Sequence, residues 1–235
     1  MNGLPDSLLE LIRRTSAEIP DDVHQSILAS LAPDRLDKGM DPVVFQGLLA
    51  NSPEGMLGYD IPNVLVDHAM RNTHILAGFW RGVNANHNAV YVECFIDELA
   101  HAAGRDPVEF LIELLGSRDE MPAGGGDAGK SGKAGKGGAV ASYNVARMRN
   151  LLKFTAEKAG WGKKKFARGS GAGIAFHFSH QGYFAQVAEV TVSKDGQVKV
   201  DRFVTGGDVG RQIVNLSGAE NQVEGSVVDG LGTLL

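Results

Sequence analysis

Polar side chains that could bind an anion or a polar cofactor are concentrated in one short segment, residues 78–88. This segment contains Arg81, Gly82, three asparagines and His87, and it leads directly into a predicted helix. A guanidinium forms paired hydrogen bonds with anionic groups, and the amides at a helix N-terminus favour negative charge. Composition therefore indicates a binding turn, with a purely structural turn as the open alternative.

A second segment, Gly124 to Ser131, satisfies the glycine-rich phosphate-loop pattern, with Lys130 in the position that neutralises phosphate charge. A functional phosphate loop follows a buried strand and opens a helix, whereas Met121 and Pro122 precede this one and more Gly-Lys steps follow it. Residues 123–138 hold eight glycines, three lysines and no large apolar side chain, which predicts a flexible linker. Nucleotide hydrolysis is therefore the weakest of the functional hypotheses.

The remaining reactive side chains form no recognisable catalytic or metal-binding set. His177 and His180 lack a third ligand at the usual spacing, so both are interpreted as ordinary polar histidines. Asp97 and Glu98 are adjacent on a predicted helix and do not face each other. Cys94 lies in an apolar stretch without a placed base and is predicted to be a buried, slowly reacting thiol. No catalytic residue and no metal ligand is predicted.

The bulk composition fits an ordinary globular chain, with 43% hydrophobic and 22% charged positions in 235 residues. A net charge of −5 provides no general basic field, which disfavours nucleic acid as a partner. No run approaches the roughly 18 apolar residues of a membrane span, and the first residues lack the order of a secretory signal. The chain as written is expected to be cytoplasmic.

Apolar spacing predicts helices over residues 6–18, 88–103 and 145–159, and a further helix after Asp106. The predicted buried face of the second helix consists of Val92, Phe95, Ile96, Leu99 and Ala103. Asp106 is followed by Pro107 and Glu109, which is the pattern of an N-cap with proline at the first helical position.

Strands are predicted over residues 172–178 and 183–192, and a hairpin turn at 194–197 leads into a third strand with Val198, Val200 and Val204. A turn leading into a strand is also predicted at 59–66. A capping box, Ser217 to Glu220, is predicted to open a last helix with the apolar positions Val223, Val227, Leu231 and Leu234. The order of the predicted elements along the chain is helices, then strands, then a helix. This order indicates an α+β fold with a mixed or antiparallel sheet and packed helices.

Several short segments stand in a fixed order along the chain: 25–29 (QSILA), 59–63 (YDIPN), 78–88 (GFWRGVNANHN), 93–100 (ECFIDELA), 106–110 (DPVEF), 188–192 (AEVTV), 207–210 (GDVG), 214–215 (VN) and 222–225 (QVEG). Taken in this order, they closely resemble the xanthine dehydrogenase and aldehyde oxidase family, in particular its isoquinoline 1-oxidoreductase branch and the beta subunit of that branch. The resemblance covers roughly residues 23–118 and 139–235, and it implies part of a molybdenum-cofactor-binding domain.

In that family the Trp-Arg-Gly turn lies against the molybdenum end of a pterin cofactor, and the glutamine of Gln-x-Glu-Gly contacts the pterin. The resemblance thus implies that Trp80, Arg81, Gly82 and Gln222 bind a molybdenum–molybdopterin cytosine dinucleotide. Backbone amides around a glycine can approach a ligand closely, and a glutamine offers donor and acceptor together. Val83 suggests a substrate pocket shaped differently from the aromatic pockets of relatives.

The resemblance implies a fragment of a molybdenum hydroxylase large subunit that hydroxylates N-heterocycles or aldehydes with oxygen from water. Its partners would be a small [2Fe–2S] subunit and the remaining parts of the large subunit, and the parent enzyme can be periplasmic. Residues 1–122 and 139–235 would be two parts of the molybdopterin-binding region, the second truncated, joined by the linker 123–138. The family's Gly-x-Gly-Glu segment, which supplies the base, has no match, so the chain alone is expected to be inactive. The alternative is a non-catalytic remnant or scaffold that only docks with a partner chain.

Overall fold

The structure, a computed structural model, describes residues 47–48, 57–66, 80–121 and 143–234. Within these ranges the elements in chain order are α1 (Asn84–Ala102), α2 (Pro107–Leu114), β1 (Glu120–Met121), β2 (Tyr143–Asn144), α3 (Val145–Ala159), β3 (Ser170–Ser179), β4 (Gly182–Val192), β5 (Val198–Asp208) and α4 (Leu216–Leu234). The predicted helix at 6–18 and linker at 123–138 lie outside the described residues.

The chain divides into two compact units. One unit comprises Met1–Phe45 and Leu65–Asn84, and the other comprises Gln46–Val64 and Ala85–Leu235. All the core packing described here belongs to the second unit.

Local capping signals define α2 and α3. The Asp106 carboxylate accepts hydrogen bonds from the backbone N–H groups of Val108 (2.9 Å) and Glu109 (3.2 Å). Asn144 caps α3 by accepting from the Arg147 N–H at 2.7 Å, and Gly160 ends the helix in the left-handed conformation, with φ of 76°. These contacts satisfy backbone donors and acceptors that a helix end leaves without partners. The predicted starts of both helices and the predicted end of α3 are confirmed.

Three antiparallel strands in the order β3-β4-β5 form the main sheet of the described residues. The helix α3 packs on one face of this sheet. The core between them and the neighbouring helices includes Leu115, Tyr143, Met148, Leu152, Phe176, Phe178, Tyr183, Ala185 and Val187. A register shift at Glu189 and Val190 leaves one extra residue on β5. The α+β class and the antiparallel sheet are confirmed.

The predicted inward face of α1 is only partly correct. Ile96 is buried, whereas Phe95 is 59% exposed and Leu99 is 39% exposed. Cys94 is exposed, so the prediction of a buried thiol is wrong. The inward line of α1 runs through Glu93, Ile96 and Ala100, which lie beside Leu111 and Ile174. Position 94 lies about 100° around the helix from position 93, which carries its thiol away from the core.

Two further predictions about element boundaries are wrong. The last helix begins at Leu216, and Asn215 caps it by accepting from the Gly218 N–H at 2.9 Å, so the predicted capping box starting at Ser217 lies inside the helix. Residues 57–66 contain no strand. Tyr59 instead enters the core, and the Asp60 N–H donates to the Leu114 carbonyl oxygen at 2.7 Å.

The apolar positions of α4 are less covered than predicted. Val223, Val227 and Leu231 are half-buried, Leu234 is 67% exposed, and no residue between Leu216 and Leu234 is fully buried. Of the helices in the described part of the chain, none has the length and apolar character needed to cross a membrane.

Candidate cofactor-binding segments

The Trp80–Val83 turn precedes α1 and has an unusual backbone. The Val83 N–H donates to the Trp80 carbonyl oxygen at 3.0 Å, and both Gly82 (φ 82°) and Val83 (φ 50°) are left-handed. Glycine adopts this conformation at no steric cost, whereas a β-branched valine is strained there. Strained residues of this kind occur preferentially at ligand-binding sites. Trp80 is 61% exposed and Arg81 is also exposed, so both side chains lie at the surface.

The end of β5 packs closely against α3 through Gly206 and against the β4 residue Phe184 through Gly207. A β-carbon on Gly206 would lie 2.1 Å from Thr155 Oγ1, and one on Gly207 would lie 3.0 Å from Phe184 Cε1. Only glycine permits these approaches without displacing a neighbour. The close packing brings Asp208, the last residue of β5, next to the start of α3.

Asp208 forms a two-pronged ion pair with Arg147 of α3. Arg147 Nε donates to Asp208 Oδ2 at 2.8 Å and its Nη2 donates to Oδ1 at 2.5 Å. The guanidinium also lies 4.3 Å from the ring centroid of Tyr183. The ion pair lowers the pKa of the Asp208 carboxyl and raises that of Arg147. Asp208 Oδ1 further accepts from the Gly210 N–H at 3.1 Å, which anchors the loop that leads to α4.

Gln222 lies in the first half of α4, and its side chain is exposed. The Trp80–Val83 turn belongs to the first compact unit and Gln222 to the second. Joint binding of one cofactor by Trp80, Arg81, Gly82 and Gln222 therefore stays a prediction. Their chemistry fits a pterin cofactor, because a guanidinium suits anionic groups and an amide suits the donor and acceptor edge of a pterin.

A half-buried carboxylate that the sequence did not single out contacts residues of the core. Glu93 Oε1 accepts from the Tyr59 hydroxyl at 2.6 Å, and its Oε2 accepts from the Phe176 N–H at 3.0 Å. Burial raises the pKa of Glu93 from 4.5 to about 7, against the lowering effect of these two hydrogen bonds. Helical spacing placed Glu93 three residues before Ile96 on the inward line, and this was the signal available in the sequence. The bonds join α1, the 57–66 segment and β3, which indicates a structural role.

His177 differs from the ordinary polar histidine that the sequence suggested. Burial lowers its pKa from 6.5 to about 4, and the nearby charge of His180 acts in the same direction. Among the residues that the structure describes, no hydrogen-bond partner reaches its Nε2 atom or the Tyr143 hydroxyl. The described ranges also contain no group of three or more histidine, cysteine or acidic side chains able to hold a metal ion.

Comparison with known proteins finds one matching domain and two similar proteins. Residues 141–235 match the molybdopterin cofactor-binding domain. A nicotinate dehydrogenase subunit of Pseudomonas putida is 29% identical over 194 residues, which are 75% of this chain and 14% of that protein. The membrane-bound aldehyde dehydrogenase (pyrroloquinoline-quinone) of Gluconacetobacter polyoxogenes is 29% identical over 163 residues, 67% of this chain and 19% of that protein. The chain thus spans less than a fifth of the length of either relative.

The matched region contains α3, the β3-β4-β5 sheet and α4. Over this region the chain is similar to molybdopterin cofactor-binding domains, and both relatives are dehydrogenases at 29% identity. The α+β arrangement of α3, the three-stranded sheet and α4 is therefore consistent with part of a molybdopterin cofactor-binding domain.

Proposed function

We propose that this chain is part of the large subunit of a molybdenum hydroxylase that oxidises N-heterocycles or aldehydes with water as the oxygen source. The match of residues 141–235 to the molybdopterin cofactor-binding domain is the observation that carries this proposal. The names of the two relatives, a nicotinate dehydrogenase and an aldehyde dehydrogenase, agree with these two substrate classes. Within the family, the sequence motifs favour the isoquinoline 1-oxidoreductase branch and its beta subunit.

The cofactor in this proposal is molybdenum–molybdopterin cytosine dinucleotide, which supplies the redox chemistry when it is bound. Trp80, Arg81 and Gly82 would hold one end of it, and Gln222 would bind the pterin. The left-handed backbone at Gly82 and Val83 presents the turn to a ligand, and the Arg147–Asp208 pair orients the chain as it leaves β5 towards the helix of Gln222. No carboxylate of the chain is assigned as the base.

The proposed partners are a small [2Fe–2S] subunit, which removes the electrons, and the remaining polypeptide of the large subunit. The Pseudomonas putida relative is one subunit of its dehydrogenase, which supports a multi-subunit assembly. Residues 1–122 and 139–235 are proposed as two parts of the molybdopterin-binding region, with 123–138 as the connection.

The test compares the chain expressed alone with the chain co-expressed with the rest of its large subunit, in a host that makes the cofactor. Molybdenum content is measured by mass spectrometry, and dye reduction is assayed with isoquinoline, nicotinate and benzaldehyde. The chain alone should hold little molybdenum and show no turnover, because positioned proton transfer contributes about 10²–10⁴ in rate and the segment that supplies the base is absent. Stoichiometric metal together with turnover in the isolated chain would contradict the fragment hypothesis.

The four cofactor residues are tested by substitution in the co-expressed enzyme. Arg81→Met and Gln222→Ala should each lower the molybdenum content at limiting cofactor about tenfold, since each loses a hydrogen-bonding group worth about 1–2 kcal/mol. The exposed residues Arg168 and Gln197 provide matched controls, as Arg168→Met and Gln197→Ala. Equal molybdenum in all four variants would overturn the site assignment.

A second candidate is a non-catalytic remnant or scaffold chain that only docks with a partner chain. A downstream reading frame that encodes the Gly-x-Gly-Glu segment supports the enzyme, and its absence supports the docking remnant.

A further inference from the structure

A cleft of about 240 Å³ opens between the end of α3, the loop that follows it, and the strands β3 and β4. Aromatic rings of Trp161 and Phe166 line it together with the small apolar side chains of Ala172 and Val187. Its volume is close to the lower end for small-molecule pockets and is sufficient for a one- or two-ring compound. The cleft shares no residue with the cofactor segments described above.

Hydrogen bonds hold the Trp161 wall in place before any ligand binds. The Trp161 indole N–H donates to Asp106 Oδ2 at 2.8 Å. Asp106 is itself fixed, because its other carboxylate oxygen caps α2. A wall built from a restrained indole ring loses little side-chain entropy on binding, which favours affinity.

The charged side chains of the cleft already form hydrogen bonds and ion pairs within the protein. Glu189 is a buried carboxylate, only 5% exposed, and it accepts from Lys164 through one oxygen and from Arg202 through the other at 3.2 Å. Lys164 and Arg202 hold the pKa of this carboxyl below its usual range, so it is charged at neutral pH. Both carboxylates that line the cleft are thus already bonded, Glu189 to two cations and Asp106 to the Trp161 indole and the start of α2. Neither is left to pair with a charged ligand.

Lys164 also supplies a polar contact point at the edge of the cleft. Its ammonium lies 5.7 Å from the centroid of the Phe166 ring. An ammonium has three N–H donors, so a bond to Glu189 leaves donors for another acceptor. An acceptor atom on a ring that lies against Trp161 and Phe166 could therefore bond to Lys164.

We propose that this cleft binds an uncharged, planar heteroaromatic compound whose ring contacts Trp161 and Phe166 and whose acceptor atom bonds to Lys164. This site goes beyond the proposed function, since it needs neither the molybdenum cofactor nor turnover. The aromatic side chains favour a planar ring. The charged side chains disfavour a charged ring, because a cation would lie close to Lys164 and an anion would lie close to Glu189.

The test uses the full chain without cofactor and quinoxaline, a neutral two-ring diazine, as the probe. Saturation-transfer NMR titration should give saturable binding with a dissociation constant of roughly 0.1–1 mM, as expected for a ligand of this size. Phe166→Ala and Lys164→Met should each weaken binding at least about fivefold. Phe154 and Lys158 form a matched exposed pair on α3, with the ammonium 5.3 Å from the ring centroid, so Phe154→Ala should leave binding unchanged.

Two ligand controls test the charge argument, with N-methylquinolinium as the cation and 2-naphthoate as the anion. Both should bind at least about fivefold more weakly than quinoxaline. Thermal unfolding of each variant confirms that an exposed substitution has left the fold intact. Non-saturable quinoxaline binding, equal loss in the Phe154 and Phe166 variants, or equal affinity for the charged rings would overturn the proposal.

Discussion

Glu93 shows how one half-buried carboxylate links stability to pH. Its pKa of about 7 in the folded protein lies above the ordinary value of 4.5, so the folded state holds this proton more tightly than the unfolded chain does. The stabilising contribution is therefore complete below about pH 4.5 and is lost as the pH rises to about 7. Asp97, Tyr59 and Tyr143 surround the same carboxyl, and the charge of Asp97 adds to the effect of burial.

Substitution of Glu93 by glutamine should raise stability at pH 8 and change it little at pH 5. Glutamine stays neutral, and the Tyr59 hydroxyl can reorient to bond to its amide. The gain in free energy of unfolding should be roughly 2 kcal/mol, somewhat below the value that the pKa shift would give at 1.36 kcal/mol per unit. Urea unfolding at both pH values measures it, with the exposed Glu98→Gln on the same helix as the control. A less stable Glu93→Gln protein at pH 8 would show that the ionised carboxylate stabilises the core.

His177 has the opposite dependence on pH. Its pKa is lowered from 6.5 to about 4, so its contribution is complete above about pH 6.5 and is lost as the pH falls to about 4. Between these pH values the stability lost at Glu93 as the pH rises is partly offset by the stability gained at His177. The net stability of the core is therefore expected to vary less with pH than either group alone would require.

The single thiol provides a direct test of exposure on α1. Cys94 is exposed, so a thiol reagent should label the native chain stoichiometrically within minutes, at a rate within about tenfold of that in urea. The chain has no second cysteine, so the signal has one source. Labelling that requires unfolding would show that the thiol is covered in solution.

At the scale of elements, nearby residues determine where a helix begins and ends, whereas residues distant in sequence determine how the elements pack. Asp106, Asn144 and Gly160 set the ends of α2 and α3 through contacts within a few residues, and such contacts can be predicted from adjacent residue types. The close approach of β5 to α3 depends on residues about fifty positions apart. Gly206 and Thr155 meet only after the sheet has packed on the helix.

Gly206→Ala should destabilise the chain by about 1–3 kcal/mol, because the new β-carbon would lie 2.1 Å from Thr155 Oγ1. Thr155 cannot move easily, since its hydroxyl donates to the Leu151 carbonyl oxygen at 2.8 Å inside α3. The matched variant is Gly171→Ala on β3, where a β-carbon would meet nothing within 4 Å and stability should be unchanged or slightly raised. Thermal unfolding of both variants decides the question, and equal midpoints would contradict the close packing of β5 on α3.

At the scale of the whole molecule, the glycine- and lysine-rich segment 123–138 should be the first site of tryptic cleavage. Its eight glycines have high chain entropy, and its three lysines are cleavage sites. The competing sites are Lys163, Lys164, Lys165 and Arg168, which are exposed in the loop between α3 and β3. Mass spectrometry of the first fragments distinguishes the two regions. First cleavage at 163–168 would contradict the linker prediction.

The sequence by itself determined the features that depend on neighbouring residues or on an ordered set of motifs. Helical spacing and caps predicted α2 and α3, and alternation predicted the antiparallel β3-β4-β5 sheet. The ordered motifs predicted the molybdopterin cofactor-binding domain that residues 141–235 match. The tertiary structure decided which side of an apolar helix is covered. On α1 the core lies against Glu93 and Ile96, which leaves Cys94 and Phe95 exposed. Burial depends on neighbours distant in sequence, such as Leu111 and Ile174, so spacing alone could predict an apolar face but not its partner.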